Sequence, residues 1–372
     1  MIAVAAMAFL GWLYLALLHG RFWSPGPELA PAHPRDNASV DIVVPARDEA
    51  ALVATGIASL LAQDYLGTLT VTLVDDGSID DTADRARSVA DPSHRFTIVA
   101  SAVRPTGWAG KLWAVSQGVA RGSGEWLLLT DADIVHEPRH LATLMAHAKS
   151  GRFDMVSEMV SLRCEGLAER ALIPAFVYFF QLLFPFSRVN AGRIAAAAGG
   201  TVLIRRAALE RAGGIAAIRD RLIDDVALAN IVRLSGGRIW LGHTRLARSV
   251  RPYPAARDVW SMITRSAYVQ LGCDPLILLG SMAGMALLFV LPAVFALFGH
   301  GPARWLGAAS WLVMATTFVP TQLRMRPRDL GMAFLLPAIA VFYIAATIGS
   351  AVAHHLGRGV VWKSRAYDRS AA

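Results

Sequence analysis

Long apolar stretches lie at both ends of the chain. Residues 1–18 contain no charged side chain, and three further apolar stretches follow after residue 275. These three are residues 276–298, 305–323 and 330–353. Each stretch approaches the ~20 residues that a helix needs to cross a bilayer. The pattern predicts a membrane anchor at residues 1–20, about three transmembrane helices within residues 273–353, and a basic tail at residues 354–372.

Between the ends, residues 40–272 alternate strand-like and helix-like runs. The strand-like runs are nearly continuous in apolar residues, which is typical of parallel strands that are buried on both faces. This alternation predicts an α/β domain with a mostly parallel sheet and helices on both faces. A stiff linker is expected at residues 21–39, because proline stiffens a connecting segment. Its prolines are Pro25, Pro27, Pro31 and Pro34.

One helix-like run, residues 167–186, is rich in large apolar and aromatic side chains. It also carries Pro174, Pro185, Arg170 and Gln181, which suit a bilayer span poorly. An amphipathic helix at the membrane interface fits this composition. A buried core helix is the alternative.

Acidic residues follow two of the predicted strands. Asp75 and Asp76 come after the strand-like run 70–74, and Asp131 and Asp133 come after Leu127-Leu128-Leu129. In open α/β sheets, ligands bind at the carboxyl ends of the strands. Two acids one residue apart suit Mg²⁺ or Mn²⁺ held between protein and a diphosphate. The alternative is that these acids are solvated or cap the helices that follow.

Two loops add polar groups to the same edge of the sheet. Pro45, Ala46, Arg47 and Glu49 follow the first strand, at residues 40–44. A turn-rich loop at residues 104–111 then leads into a helix. The backbone amides at the start of that helix, including that of Gly110, and the Lys111 ammonium are suited to bind an anion. A surface loop with a solvated lysine is the alternative.

The second half of the domain carries small residues and a third acidic pair. Gly199 and Gly200 allow close approach of an acceptor or diphosphate, or relieve packing. Asp224 and Asp225 begin a predicted helix that ends near Gly236. One acidic side chain there would be enough to stabilise the positive end of the helix dipole. The second acid is not explained by the dipole.

Three runs, VVPARDE at 43–49, VDDGS at 74–78 and TDAD at 130–133, together resemble the nucleotide-sugar-binding core of family 2 glycosyltransferases with the GT-A fold. The resemblance implies a nucleotide-diphosphate sugar donor, with a UDP-sugar expected, and a divalent metal on Asp133 and Asp131. The residues that it assigns to the donor are Pro45, Ala46, Arg47, Glu49, Asp75, Asp76, Gly110, Lys111 and Asp131.

The acceptor half is similar to lipid-directed members such as ceramide glucosyltransferases. It implies that Asp225 is the general base, with Asp224 in place of the family's glutamate and Gly199 and Gly200 on the acceptor side. Arg265 is what remains of the family's Gln/Arg-x-x-Arg-Trp signature, and we expect it to neutralise the leaving diphosphate. The missing tryptophan argues against a processive polysaccharide synthase.

Four motifs most resemble the hopene-associated glycosyltransferases of bacterial hopanoid gene clusters. They are GWAGKLWAV at 107–115, IPAF at 173–176, IDD at 223–225 and WKSR at 362–365. This resemblance implies a membrane-bound, inverting transfer of a sugar to a lipid. A polyprenyl-phosphate sugar transferase, which needs no general base, is an alternative, as is a polysaccharide synthase or a non-catalytic nucleotide-sugar-binding membrane protein.

Composition agrees with a membrane protein. The 372 residues are 55% hydrophobic, the mean hydropathy is +0.43 and the formal net charge is +8. Attraction to anionic lipid explains this basic balance better than nucleic acid does, because no basic patch is interleaved with aromatic residues. Cys164 and Cys273 lack the spacing of a disulfide framework or a zinc site.

The basic residues that flank the apolar stretches predict the topology. Arg21 follows residues 1–18, and Arg324, Arg326 and Arg328 separate the last two stretches. Because basic loops remain on the cytoplasmic side, these positions predict a multi-pass membrane protein with a cytoplasmic catalytic domain. The resemblance to bacterial hopanoid enzymes implies that this membrane is the bacterial inner membrane. Three crossings after the domain would put the basic tail outside, so the number of crossings stays open.

Overall fold

The computed structural model describes residues 1–33, 35–356, 361–362 and 365–366. Pro34 of the predicted linker and most of the basic tail, including Lys363 and Ser364 of the WKSR motif, lie outside these residues. The described chain consists of an α/β domain and a set of apolar helices from both ends of the sequence.

The α/β domain has eight strands in one sheet. The strands are β1 Val40–Ala46, β2 Leu69–Asp75, β3 Phe96–Ala100, β4 Trp126–Thr130, β5 Ile134–His136, β6 Met155–Ser161, β7 Thr201–Arg205 and β8 Ile239–Ser249. The N-terminal helix is α1 Ile2–Leu18. The helices that follow within the domain are α2 Val53–Leu61, α3 Thr82–Arg87, α4 Gly110–Arg121, α5 His140–Gly151, α6 Leu167–Leu183, α7 Phe186–Asn190, α8 Arg206–Arg211 and α9 Asp224–Leu234, with a 3-10 turn at Ile215–Ile218.

The strand order is β3-β2-β1-β4-β7-β6-β8-β5. The first four neighbours pair in parallel, β7 is antiparallel to β4 and β6, and β5 is antiparallel to β8. Six strands therefore share one direction and two are reversed. The predicted α/β fold with a mostly parallel sheet is confirmed, and the carboxyl ends of β1, β2 and β4 meet at one edge.

Both faces of the sheet are covered, as the apolar runs predicted. Val43 and Leu127 pack with α4, α7 and α9 on one face. Their chain neighbours Ile42 and Leu128 pack with α2 and α5 on the other face. Because successive strand residues point to opposite faces, a strand covered on both sides is apolar at most of its positions. Asp41 in β1 is a buried exception that pairs with Arg206 at 2.7 Å.

The C-terminal region is helical. Its elements are α10 Ala256–Thr264, α11 Ala267–Gln270, α12 Pro275–Met285, α13 Leu291–Phe298, α14 Gly301–Met325 and α15 Leu336–His355, with a π-helical segment at Ala286–Val290 between α12 and α13 and a 3-10 turn at Leu330–Leu335 before α15. Among the described residues, three helical stretches are long and apolar enough to cross a membrane, namely Leu167–Asn190, Pro275–Phe298 and Leu330–His355.

Two of these three stretches coincide with predicted spans. Helix α14 covers the predicted stretch 305–323 but is not among the three, and α1 is apolar but shorter, at 17 residues. The three stretches instead include α6 and its continuation, which sequence reasoning had placed at the membrane interface.

Helix α6 lies between the α/β domain and the apolar helices. Near its start, Glu169 Oε1 accepts a hydrogen bond from the backbone of Tyr253 at 2.7 Å. Near its end, Gln181 Nε2 lies 3.2 Å from His243 Nε2 in β8. Between them, the hydroxyl of Tyr178 contacts that of Thr317 in α14 at 2.8 Å. The helix is therefore attached to the domain at both ends and buried along one side by the apolar helices.

The described residues of the predicted stiff linker, 21–33 and 35–39, contact the rest of the chain at several points. The backbone carbonyl of Pro27 accepts a hydrogen bond from His243 at 2.8 Å, and the backbone N–H of Ala32 donates to Thr143 Oγ1 at 2.9 Å. Glu28 pairs with Arg324 at 2.7 Å. The described part of the segment lies along the domain because its backbone groups form hydrogen bonds there. The prolines of the sequence do not predict these hydrogen bonds.

Candidate active site

A cleft opens at the carboxyl edge of the sheet, where β1, β4 and α4 meet α9. Three aspartates and one lysine line it together with apolar side chains. The lining residues are Pro45, Lys111, Leu112, Val115, Leu129, Thr130, Asp131, Gly199, Val202, Ile215, Ile218, Asp224, Asp225 and Leu228.

Lys111 joins two of the predicted acidic sites. Its Nζ lies 3.0 Å from Asp131 Oδ1 at the end of β4 and 3.0 Å from Asp224 Oδ2 at the start of α9. Burial opposes the charge of Lys111, but the two carboxylates outweigh it and raise the pKa of the lysine. Lys111 is thus a permanent cation at the N-terminus of α4, which itself favours anions. The solvated lysine of the alternative interpretation is not observed.

Asp225 is half-buried beside this cluster. Its Oδ1 accepts a hydrogen bond from the backbone of Val226 at 2.8 Å. A Cβ added to Gly199 would lie 3.2 Å from Asp225 Oδ2, so the glycine lets the backbone approach the carboxylate closely. Burial, and then the charge of Asp224, raise the pKa of Asp225 to about 7. A carboxyl group with this pKa can accept a proton near neutral pH.

Asp133 is held on the other side of the cleft by β8 and the residues after it. Its Oδ2 accepts a hydrogen bond from Ser249 Oγ at 2.7 Å and lies 3.3 Å from Arg251 Nε. The other end of the Arg251 guanidinium pairs with Glu49 from the loop after β1. Neither Asp131 nor Asp133 caps α5, whose N-cap residue is Arg139. The helix-capping alternative is therefore wrong for these two aspartates.

The loops after β1 and β2 are connected to each other. Ala46 lies opposite Asp75 in the paired strands, and its carbonyl accepts a hydrogen bond from Asp76 N at 2.8 Å. Arg47 donates to the backbone carbonyl of Asp76, and its Nη1 lies 3.7 Å from Asp76 Oδ2. Asp75 accepts hydrogen bonds from the backbone and hydroxyl of Ser78. The predicted nucleotide-side residues are therefore brought together at one edge.

The loop that precedes α4 meets the loop that precedes α9. The backbone N–H of Ala109 donates to the carbonyl of Arg219 at 2.6 Å, and the Arg104 guanidinium binds the carbonyl of Trp108. The rings of Trp108 and Trp113 meet edge to face at 5.1 Å between centroids. The donor-side loop and the segment leading to Asp224 are thus fixed to each other.

Arg265 is a predicted site residue that the fold places outside the lining of this cleft. It ends α10, is exposed, and does not line the cleft. Its charge acts on Tyr253, where it opposes the burial that raises the pKa of the phenol. Arg251, which the sequence did not single out, contacts Asp133 and Glu49 instead. In the sequence, Arg251 is marked only by its place in the run SVRPYP, residues 249–254, which follows a long β-rich segment.

A divalent metal was predicted on Asp131 and Asp133. Burial raises the pKa of Asp131. The charge of Lys111 opposes this rise, and the charges of Asp133 and Asp224 add to it. Within the described residues, no group of three or more His, Cys, Asp or Glu side chains is arranged to hold a metal. Mg²⁺ is often bound by only one or two carboxylates together with substrate phosphates. The two aspartates therefore fit a metal that arrives with a diphosphate, and do not form a protein-only metal site.

Comparison with known proteins agrees with this arrangement. Residues 41–213 match the model of the family described as Glycosyl transferase family 2. An N-acetylglucosaminyltransferase of Rhizobium leguminosarum bv. viciae is 34% identical over 113 residues, which are 29% of this chain and 25% of that protein. The match thus spans a quarter of that relative's length.

The fold is shared with a solved structure, and a second structure gives a weaker superposition. The mannosyltransferase PcManGT from Pyrobaculum calidifontis, in complex with GDP-Man and Mn²⁺, superposes with a TM-score of 0.63 at 20% identity, over 94% of this chain and 98% of that one. Glucosyl-3-phosphoglycerate synthase from Mycobacterium tuberculosis, in complex with Mn²⁺ and UDP-Glc, gives a TM-score of 0.43 at 18% identity, over 67% and 88%. Residues 41–213 are therefore similar to family 2 glycosyltransferases, and the fold of the chain is of the GT-A type.

Proposed function

We propose that this protein is a membrane-bound, inverting glycosyltransferase that moves a sugar from a nucleotide-diphosphate sugar to the hydroxyl of a lipid. One observation carries the proposal. Asp225, with a pKa raised to about 7, lies next to a cluster in which Lys111 joins Asp131 to Asp224. A base is therefore adjacent to a cation that suits a diphosphate.

Donor binding follows from the charges at the sheet edge. The backbone amides at the start of α4 and the ammonium of Lys111 favour the diphosphate, because a helix N-terminus and a cation both attract anions. We assign the nucleotide to the linked loops that carry Arg47 and Asp76. Entry of the diphosphate gives Lys111 a new partner and weakens its hold on Asp131 and Asp224.

A divalent metal would be held by Asp131 and Asp133 and would neutralise charge on the leaving diphosphate when bound. Lys111 and Arg251 already neutralise these carboxylates in part. In our proposal the two side chains keep the acids charged and oriented until the donor arrives.

In the chemical step, Asp225 takes the proton from the acceptor hydroxyl. The hydroxyl oxygen forms a bond to the anomeric carbon as the bond from that carbon to the diphosphate breaks. The bonding electrons leave with the nucleoside diphosphate, where Lys111 stabilises the developing charge. A single displacement of this kind inverts the anomeric configuration.

A lipid acceptor is supported by the apolar helices beside the domain. Large apolar side chains are exposed on α1 and α12–α15, for example Leu10, Leu279, Trp305 and Val341. A belt of this kind favours hydrocarbon as its surroundings. We propose a hopanoid or related glycolipid precursor as the acceptor, from the sequence resemblance, with the domain on the cytoplasmic side of a bacterial inner membrane.

The test is turnover in membranes that contain the full chain, with a panel of nucleotide sugars and extracted lipids. We expect a lipid whose mass is increased by one sugar residue, and a rate of its formation that is about 10²- to 10⁴-fold lower with Asp225→Asn. Transfer to a polyprenyl phosphate that persists in Asp225→Asn would instead support a phosphate acceptor. Nucleotide-sugar binding without any product would overturn the enzymatic proposal.

A further inference from the structure

A buried polar network lies under the cleft and takes no part in the steps above. It consists of Thr130, His136, His140 and Glu158, all at most 3% exposed. His140 Nε2 lies 2.8 Å from Glu158 Oε2, the Nδ1 atoms of the two histidines are 2.8 Å apart, and His136 Nε2 lies 3.1 Å from Thr130 Oγ1. Buried polar groups of this kind are costly unless their hydrogen bonds fit one another.

The direction of each hydrogen bond can be derived from its end at the cleft. Thr130 donates its only hydroxyl proton to the carbonyl of Gly200 at 2.8 Å. His136 Nε2 must therefore donate to Thr130 Oγ1. Burial, and then His140, lower the pKa of His136 well below its ordinary value, so this ring is neutral and its Nδ1 accepts from His140. The contact between His140 Nε2 and Glu158 Oε2 completes the network.

The network ends at the backbone carbonyl of Gly200, beside the cleft. Gly200 O also receives the backbone N–H of Asp131 at 3.4 Å, and Gly199 is the residue whose Cα closely approaches Asp225. One residue earlier, Ala198 exchanges hydrogen bonds with Ser157 Oγ in β6, at 2.8 and 3.0 Å. Segment 198–200 is thus held between the donor carboxylate and the base by side chains of β4 and β6.

We propose that the network of Thr130, His136, His140 and Glu158 positions segment 198–200, and through it sets the distance between Asp225 and the donor-side carboxylate Asp131. These four are positioning residues, since none contacts the reacting atoms. Only the expected effect of the network on turnover rests on the proposed function. The position of the backbone segment can be measured without any substrate.

The decisive comparison removes the hydroxyl of Thr130 without changing the shape of the side chain. Thr130→Val removes the hydroxyl, leaves His136 Nε2 without its partner and leaves Gly200 O with only the 3.4 Å hydrogen bond from Asp131 N, whereas Thr130→Ser retains the hydroxyl. Thr143→Val is the matched control. Thr143 is an equally buried threonine in α5 with two backbone hydrogen bonds, and it lies outside the network.

Hydrogen–deuterium exchange of the peptide covering residues 195–205 should be faster in Thr130→Val than in Thr130→Ser and Thr143→Val. In membranes, kcat of Thr130→Val should fall by about 10- to 100-fold, because small misplacements of reacting groups carry penalties of that size. The KM for the nucleotide sugar should change less than threefold. Thr143→Val should lower the Tm and leave kcat unchanged.

A second pair covers the case in which Thr130→Val does not fold. His136→Leu should reproduce the faster exchange and the lower kcat, and His136→Gln, whose amide can donate to Thr130 Oγ1, should restore part of both. If every folded variant exchanges at the wild-type rate and keeps its kcat, the positioning role is refuted. Faster exchange in Thr130→Val with no sugar transfer by the wild-type protein would retain the positioning role and reject the proposed function.

Discussion

The pH dependence of transfer tests the role of Asp225 most directly. The pKa of this carboxyl is raised to about 7 by burial and by Asp224. A general base must be ionised, so kcat/KM should rise with pH through about 7 and level off above it. At pH 6, one unit below the pKa, about a tenth of the molecules carry an ionised base, and kcat/KM should be about tenfold below the plateau.

Two substitutions separate the base from its neighbour. Asp225→Asn should lower kcat by about 10² to 10⁴-fold, which corresponds to about 3–5 kcal/mol of transition-state stabilisation. Asp224→Asn removes the negative charge that raises the pKa of Asp225 and frees Lys111 from one partner. The acidic limb of the profile should therefore move to lower pH in Asp224→Asn, although the plateau also falls.

The assay measures initial rates from pH 5 to 9 with membranes that contain each variant, and donor binding is followed separately with the nucleoside diphosphate. Asp225→Asn should keep its affinity for the nucleoside diphosphate. A full-height profile in Asp225→Asn, or an acidic limb that does not move in Asp224→Asn, would refute the assignment of the base and its electrostatic cause.

Three further predictions concern the donor, the metal and the topology. Lys111→Met should raise the KM for the nucleotide sugar by at least tenfold, because the cation of the cleft is lost; Lys149→Met, which breaks a surface ion pair with Asp36, should leave that KM unchanged in the same rate assay. Removal of divalent metal by EDTA should abolish turnover, and Asp133→Ala should weaken donor binding measured by calorimetry; full activity after both would reject the metal. A cysteine at the exposed Ser88, in a variant without the two native cysteines, should resist membrane-impermeant thiol reagents in intact cells, and ready labelling would reverse the topology.

Local patterns in the sequence were enough to locate most elements and most acids of the cleft. Apolar runs identified β1, β2 and β4, because a strand covered on both faces carries mostly apolar side chains. The acids that directly follow these strands had to meet at one edge, because parallel strands end together. Asp224 and Asp225 begin α9, as their position before an apolar-periodic run predicted.

The sequence could not reveal which charges pair across the cleft. Arg251 meets Glu49 across 202 positions of the chain, and this contact depends on the order of strands in the sheet rather than on any local pattern. The expected arginine, Arg265, was chosen from a motif and lies outside the cleft because α10 directs it to the surface. The role of Lys111 as a bridge between β4 and α9 likewise required the folded chain.

Hydrophobicity alone determined that this chain has membrane-like helices, because a stretch of about 20 apolar residues is a property of the sequence itself. How those helices pack was decided only in three dimensions. The sequence of α6 is mostly apolar, yet its hydrogen bonds to Tyr253 and His243 attach the helix to the α/β domain. The network from Glu158 to Gly200 is equally invisible in sequence, because a buried histidine is stable only where folding brings hydrogen-bond partners to both of its nitrogens.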